Sequence, residues 1–484
     1  MSILWFIIVA IIILNTIFAI ITVFRQPRDI SATWAWLLVL ILLPVIGFIL
    51  YMFTGRGLSR HKIFSLQTQI EDGLAAKIHV QKQENAAQRL LPPTELSTES
   101  TELVNLFLFL DKAPLTKNNH VEIITDGHEK FRLLFQDILA AKHSIHIEYY
   151  TIYNDRIGNQ LMTLLKKKAA EGVEVNVIYD AWGSHGATKK WWSQLEKVGG
   201  HVEAFFSSKH SLTDFRLNYR DHRKIVVIDG EIGYVGGFNI GDQYLGRLPK
   251  FGYWRDTHLR ILGEAVASLQ IRFTMDWNAT VGPEDKLSYD ENYFPEVSST
   301  PGNVSMQIVS SGPNSDLEQI KMGYLKMITS ATKSIWIQSP YLIPDDSIID
   351  ALRIASLSGI DVRIMIPDMP DHPFIYRATQ YYARLLHNSN IKIYLYRNGF
   401  LHAKTFIVDE HIASVGTANL DIRSFKLNFE VNAFIYDQEV AKQLHDIFLN
   451  DLKHTDLLTN EMLQKQSQWL RFKQRFSRLL SPIL

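Results

Sequence analysis

Two long apolar runs occupy the start of the chain, and after them the hydrophobic pattern changes period. Residues 3–24 (ILWFIIVAIIILNTIFAIITVF) and 34–53 (WAWLLVLILLPVIGFILYMF) carry no charge. At about 1.5 Å per helical residue, each is long enough to cross a hydrocarbon core of about 30 Å. The polar RQPRDISAT between them, with Pro27, reads as a short loop. The pattern therefore predicts a two-span transmembrane hairpin over 1–58, with the N-terminus and the remaining chain on one side. No basic n-region and no small-residue cleavage site mark the first run as a signal peptide. Trp34, Trp36 and Tyr51 lie near the span ends, where interfacial aromatics are found. Arg25 and Arg28 in the loop face Arg56, Arg60 and Lys62 on the other flank, a bias of one charge toward a cytoplasmic body.

Residues 59–115 are polar and broken by Pro92-Pro93 and TELSTESTE, and read as a linker. Within it, 66–90 has the pattern of an amphipathic helix or a tether. Beyond it, strand-like and helix-like runs alternate. VEIITDG (121–127), SIHIEYY (144–150) and VEVNVIYD (173–180) have strand character, while FRLLFQDILAAK (131–142) and NQLMTLLKKKAAEG (159–172) have helical apolar spacing. Such alternation predicts an α/β fold with buried strands. The pattern then recurs. Ser144-Ile-His-Ile-Glu aligns with Ser334-Ile-Trp-Ile-Gln, 190 residues on, and Gly172-Val-Glu-Val with Gly359-Ile-Asp-Val, 187 on. A shift held over several elements is an internal duplication. It predicts two lobes, 116–300 and 301–484, with the seam in EVSSTPGNVS near 295–305.

The candidate chemistry lies in the duplicated segments, 216–243 and 396–423. His222, Lys224, Asp229, Gly236, Gly237 and Asn239 recur with identical spacing as His402, Lys404, Asp409, Gly416, Thr417 and Asn419. IVVID and TFIVD are β-branched or aromatic, so each motif lies on a strand and its His and Lys share a face. An imidazole beside an ammonium suits a phosphate: a ring nitrogen can attack phosphorus while the ammonium neutralises the oxygens. Asn239 and Asn419 can donate amide hydrogen bonds to those oxygens, and Thr417 can add a hydroxyl. Asp229 and Asp409 are counted with the catalytic set, although each ends its strand and also reads as a turn residue or fold anchor. A Lys on the same face repels a cation, so no metal and no other cofactor is expected. Pairing the lobes would bring two His and two Lys to one phosphate.

Composition narrows the partners. Lys plus Arg and Asp plus Glu number 50 each, a net charge of zero, which argues against nucleic acid as partner. No cysteine is present, which excludes disulfides, thiolate metal sites and a cysteine nucleophile.

The paired motifs resemble those of the phospholipase D superfamily, and the whole chain is similar to its bacterial cardiolipin synthase family. The resemblance runs through the apolar hairpin, NYRDHRKIVVIDGEIGYVGGFNIGDQYLG, YWRDTHLRILGEAV, SPYLIPD and HAKTFIVDEHIASVGTANLDIRSFKLNFEVNAFIYD. It implies two pseudo-symmetric phospholipase D-like α/β/α sandwich lobes. It also implies a metal-free phosphatidyl transfer between two phosphatidylglycerol molecules, giving cardiolipin and glycerol through a phosphohistidine. By the same resemblance His222 is the nucleophile and His402 the general acid and base, with pseudo-symmetry allowing the reverse. Glu430 matches a carboxylate that orients a motif His, and Asp256 is its counterpart in the first lobe. A phospholipase D-type hydrolase, another phosphatidyltransferase, a nuclease and a non-catalytic membrane scaffold are the competing readings. Glu148 and Tyr149 fall where a strand end would approach the site, and read equally as buried-strand packing. Finally, the tail WLRFKQRFSRLLSPIL places Trp469, Phe472, Phe476, Leu479 and Ile483 on one helical stripe beside Lys465, Arg471, Lys473, Arg475 and Arg478. It reads as a basic amphipathic helix on an anionic bilayer surface, or as a packed terminal helix with a basic outer face.

Overall fold

The computed structural model describes residues 98–205, 219–288, 290–296, 302–315 and 317–482, with the short stretches 30–43 and 79–83 and a few single positions before them. Helix α1 (Ile30–Leu42) begins inside the expected polar loop and runs into the second apolar run. Among the described residues no helix is long and apolar enough to cross a membrane. The rest of both expected spans, and most of 66–90, lie outside the described residues.

The catalytic body repeats one design twice. The first lobe is built from β1 (Thr116–Ile124), α3 (Gly127–Ala140), β2 (Ser144–Tyr149), α4 (Arg156–Ala170), β3 (Glu174–Tyr179), α5 (Lys189–Glu196), β4 (His201–Ala204), β5 (Lys224–Ile228), β6 (Ile232–Gly236), β7 (His258–Leu262) and α6 (Ala265–Thr280). The second is built from β8 (Val304–Ser311), α7 (Gln319–Ser330), β9 (Ser334–Gln338), α8 (Asp346–Leu357), β10 (Asp361–Pro367), α9 (Pro373–His387), β11 (Lys392–Tyr396), β12 (Thr405–Val408), β13 (Ile412–Gly416), β14 (Asn428–Ile435) and α10 (Gln438–Leu452). Short β15 (Thr455–Leu457) and α11 (Asn460–Gln464) lead to the final helix α12 (Gln468–Leu479). In the first lobe the strand order is β4-β3-β2-β5-β6-β7-β1, and in the second β11-β10-β9-β12-β13-β14-β8. In each, three parallel strands precede an antiparallel set that carries the motif.

The lobes are fused rather than tethered. β1 pairs antiparallel with β8, so one sheet runs through both. Each lobe has its own core, around Phe131, Ile147 and Leu161 in the first and Ile337, Leu352 and Phe406 in the second. A third core spans both: Val227, Leu259 and Leu269 with Met306, Ala413, Val431 and Phe448. Burying a side chain of this size contributes about 1.5–3 kcal/mol, so this shared layer resists separation of the lobes.

The expectation of a polar linker to residue 115 is corrected. Residues Thr98–Leu110 form a helix, α2, whose Leu103, Val104, Phe107 and Leu108 are buried in the second lobe's core. The ring centroids of Phe107 and Phe434 lie 4.4 Å apart. Gln307 Nε2 donates to Ala113 O at 2.7 Å, fixing the connection into β1.

Candidate active site

Each motif enters the site on a hydrogen bond from the opposite lobe. His222 N donates to Phe429 O at 2.9 Å, and His402 N donates to Arg255 O at 2.7 Å. The side chains cross in the same way. His222 Nδ1 lies 3.0 and 2.9 Å from the two carboxylate oxygens of Glu430. His402 Nδ1 lies 2.6 Å from Asp256 Oδ2. Each imidazole of one lobe is thus oriented by a carboxylate of the other, with Nδ1–H donating and Nε2 left as the reactive nitrogen. Lys224 Nζ donates to His222 O at 2.7 Å, and Lys404 Nζ to His402 O at 2.5 Å. Lys404 Nζ also lies 2.9 Å from His402 Nδ1, but the shorter contact with Asp256 takes the ring proton. The expectation that each Lys sits beside its own His therefore agrees with the geometry.

The carboxylates have different supports. Glu430 accepts from Thr417 Oγ1 at 2.5 Å and from Asn428 Nδ2 at 3.3 Å. Asp256 accepts from Thr257 N at 2.8 Å and from Trp254 Nε1 at 3.4 Å. Gly237, the counterpart of Thr417, is a glycine because Asp256 comes so close: a Cβ there would lie 1.9 Å from Asp256 Oδ1. Aromatic rings close the sides, Tyr150 5.1 Å from the His222 ring and Trp254 5.1 Å from the His402 ring.

Burial sets the charges. It pushes His222 down to about 4; Glu430 opposes this and Lys224 adds to it. Burial also pushes His402 down to about 4, with Lys404 adding and Asp256 opposing. The same burial lowers Lys224 to about 8 and Lys404 to about 7. Against the upward push of burial, His222, Lys224 and Thr417 hold Glu430 down to about 2. His402 and Lys404 likewise hold Asp256 below the ordinary carboxylate value. These shifts favour neutral imidazoles, ionised carboxylates and lysines easily made neutral. An arriving phosphodiester, being anionic, favours the protonated forms of both lysines and of an imidazole.

Two expectations are corrected. Asp229 and Asp409 do not face the site. Each lies seven residues beyond its His, about 20 Å along an extended strand. Asp229 accepts from the backbone N–H groups of Lys142, His143 and Ser144 at 2.7–2.9 Å. Asp409 accepts from those of Thr332, Lys333 and Ser334, each at 2.7 Å. Both clamp the turn that starts the neighbouring strand, and both have φ of 53°. Thr417 is corrected in role: its hydroxyl proton goes to Glu430, and its oxygen accepts from Val431 N at 2.9 Å, so it does not reach for phosphate. Asn239 Oδ1 accepts from Thr151 N at 3.1 Å, leaving its amide NH2 as the donating end. Asn419 Oδ1 is buried without a partner among the described residues. Glu148 and Tyr149 are fully buried on β2, and it is Tyr150, one residue on, that reaches His222.

The chain that builds this duplicated α/β body with its two crossed histidine–carboxylate pairs is of the phospholipase D superfamily, as its family matches show. The fold is similar to that of a phosphatidylserine synthase of Haemophilus influenzae, with TM-score 0.59 and 17% identity, over 75% of this chain and 95% of that one. The family "Cardiolipin synthase, PLD-like domain" matches residues 134–250 and 324–452, and "Phospholipase_D-nuclease N-terminal" matches 3–56. A cardiolipin synthase of Listeria innocua is 52% identical over the full length of both chains. One of Staphylococcus aureus is 51% identical over 98% of this chain and 95% of its own. The chain belongs to the cardiolipin synthase family. It is a membrane-associated phosphatidyltransferase of the phospholipase D type.

Proposed function

We propose that the enzyme makes cardiolipin from two molecules of phosphatidylglycerol, with His222 as nucleophile and His402 as general acid and base. Nε2 of His222 attacks the phosphodiester phosphorus. The bond from phosphorus to the glycerol oxygen breaks, and His402, protonated on binding the anionic substrate, gives its proton to that oxygen. Glycerol leaves. The now neutral His402 takes the proton of a second phosphatidylglycerol hydroxyl. That oxygen attacks phosphorus, the N–P bond breaks, and cardiolipin is released with both imidazoles restored. Lys224 and Lys404 stabilise the charge on the equatorial oxygens, with the Asn239 amide as a further donor.

The observation that carries the reading is the crossed pairing of His222 with Glu430 and His402 with Asp256. Glu430 turns both oxygens toward Nδ1 of His222, which favours attack by Nε2 and then stabilises the positive phosphoimidazole. That contact supports His222 as the covalent carrier. The same reading includes the two-span N-terminal hairpin, a cytoplasmic body and an anionic bilayer surface as partner. Vesicle-reconstituted protein supplied with phosphatidylglycerol and EDTA tests it by thin-layer chromatography. Cardiolipin with free glycerol is expected. Phosphatidic acid alone would point to hydrolysis, and cleavage of oligonucleotides alone would overturn the lipid assignment.

A further inference from the structure

The C-terminal helix α12 packs inside out. Its polar residues Gln474 and Ser477, and Ser481 just beyond its end, are 0%, 1% and 3% exposed, whereas Trp469, Phe472, Phe476 and Leu479 are 63%, 55%, 49% and 72% exposed. The buried face is held on α9 by polar contacts. Gln474 Nε2 donates to Gln380 Oε1 and to Gln466 Oε1, both at 3.2 Å. Tyr382 OH donates to Ser481 Oγ at 3.3 Å, Arg384 donates to Gln466, and the Arg478 guanidinium lies 5.1 Å from the Tyr381 ring centroid. A surface helix ordinarily turns its apolar stripe to the protein. Here that stripe faces out as a continuous strip: the Trp469 and Phe472 rings stack at 5.4 Å and the Phe472 and Phe476 rings at 6.5 Å.

We propose that this strip is a docking surface for an anionic lipid bilayer, with α12 lying in the interface plane while its polar face stays bolted to α9. The choice of occupant follows from charge. Lys473 and Arg475 flank the strip by helical spacing, Lys465, Arg471 and Arg478 add to the positive charge of the same segment, and no acidic side chain follows Glu461. Lys473 Nζ lies 5.2 Å from the Trp469 ring, so this long side chain flanks the aromatic strip and can reach headgroups above it. Anionic headgroups complement this rim, and the rings and Leu479 reach the acyl boundary. A second copy meeting the same face about a twofold axis would set Lys473 and Arg475 against their own like charges. The proposal rests on the reading of the enzyme as one working on anionic membrane lipids, and it adds a second contact that turns a defined side of the second lobe to the membrane.

The chain has no cysteine, so Phe472→Cys introduces a single thiol for an environment-sensitive fluorophore. Full-length protein is reconstituted in phosphatidylcholine vesicles with and without phosphatidylglycerol. Gln464→Cys, exposed before α12, is the reference site. Blue-shifted emission shielded from aqueous iodide is expected at 472 in the phosphatidylglycerol vesicles, and not at 464. Lys473→Glu with Arg475→Glu should reduce the inserted fraction by at least about tenfold. Emission at 472 matching that at 464, or equal in both kinds of vesicle, would overturn the proposal. So would a shift that needs no lipid and grows with protein concentration, which would assign the face to a second copy. The signal should persist in a His222→Ala background, so failure here and failure of the catalytic scheme are separate results.

Discussion

Around His222, the orienting carboxylate is Glu430, braced by the Thr417 hydroxyl and the Asn428 amide; around His402 it is Asp256, braced by a backbone N–H and an indole, with Gly237 where the other half has Thr417. Two residues further along each strand the halves diverge again. Asn432 is fully engaged, donating to Tyr324 OH at 2.8 Å and Ser414 Oγ at 3.0 Å and accepting from Thr417 N and Ala418 N. At the matching place His258 is buried, and neither ring nitrogen has a hydrogen-bond partner among the described residues; the same holds for Tyr149 OH and for Lys130 Nζ, which lies over the Phe131 and Tyr149 rings at 4.1 and 5.0 Å. Pseudo-symmetry of backbone thus coexists with unequal chemistry. The half in which Thr417, Asn428 and Asn432 brace the carboxylate and its strand suits a covalent carrier that must stay aligned. The half with the sparser network suits a group that changes charge twice per turnover.

That contrast can be broken by substitution, with effects that fall in order. His222→Ala and His402→Ala should each lower steady-state cardiolipin formation by about 10⁴-fold or more. Full activity in either variant would rule out the two-imidazole scheme. Lys224→Ala and Lys404→Ala should each lose about 3 kcal/mol of transition-state stabilisation, read as kcat/KM. The lysines also set the pH profile. Their charged forms hold the phosphate, and burial lowers them to about 8 and 7, so kcat/KM should fall as pH rises through 7–8. Protonation of His222, lowered to about 4, should reduce it on the acid side, because the attacking Nε2 must be unprotonated. A profile still flat at pH 9 would contradict this ordering. Glu430→Gln and Asp256→Asn should each reduce kcat by about 10²-fold. Gly237→Ala should resemble Asp256→Asn, because the new Cβ displaces that carboxylate. The smallest effect concerns the turns. Asp229-Gly230 and Asp409-Glu410 both have positive φ, and Glu410 is strained at 58° where the first lobe has glycine. Glu410→Gly should raise stability by up to about 1 kcal/mol, seen as a higher denaturant midpoint with activity unchanged.

The reactive pairs were legible in the sequence because a strand's period of two puts His222 with Lys224 and His402 with Lys404, and the repeat made the match hard to dismiss. What the period could not reveal was the exchange of partners. Glu430 lies 208 residues from His222 and Asp256 lies 146 from His402. Nothing local encodes a contact made only when two lobes close on each other. For Asp229 and Asp409 the catalytic reading fails and the fold-anchor reading holds, because identical spacing marks a shared fold requirement as clearly as a shared reaction. Helix α2 was hidden by the polar TELSTESTE that precedes its buried face, although Leu103, Val104, Phe107 and Leu108 have helical spacing. The tail's amphipathicity was visible, but which face it turns to the body depends on α9, whose Gln380, Tyr381 and Tyr382 meet the docked side.

The central claim is that His222 alone carries the phosphatidyl group, with His402 handling protons. Acid-free quenching of the His402→Ala variant after incubation with labelled phosphatidylglycerol, followed by mass spectrometry of its peptides, tests this directly. A phosphatidyl adduct on His222, absent from His222→Ala, is the expected result; an adduct on His402 in the His222→Ala variant, with none on His222, would contradict it.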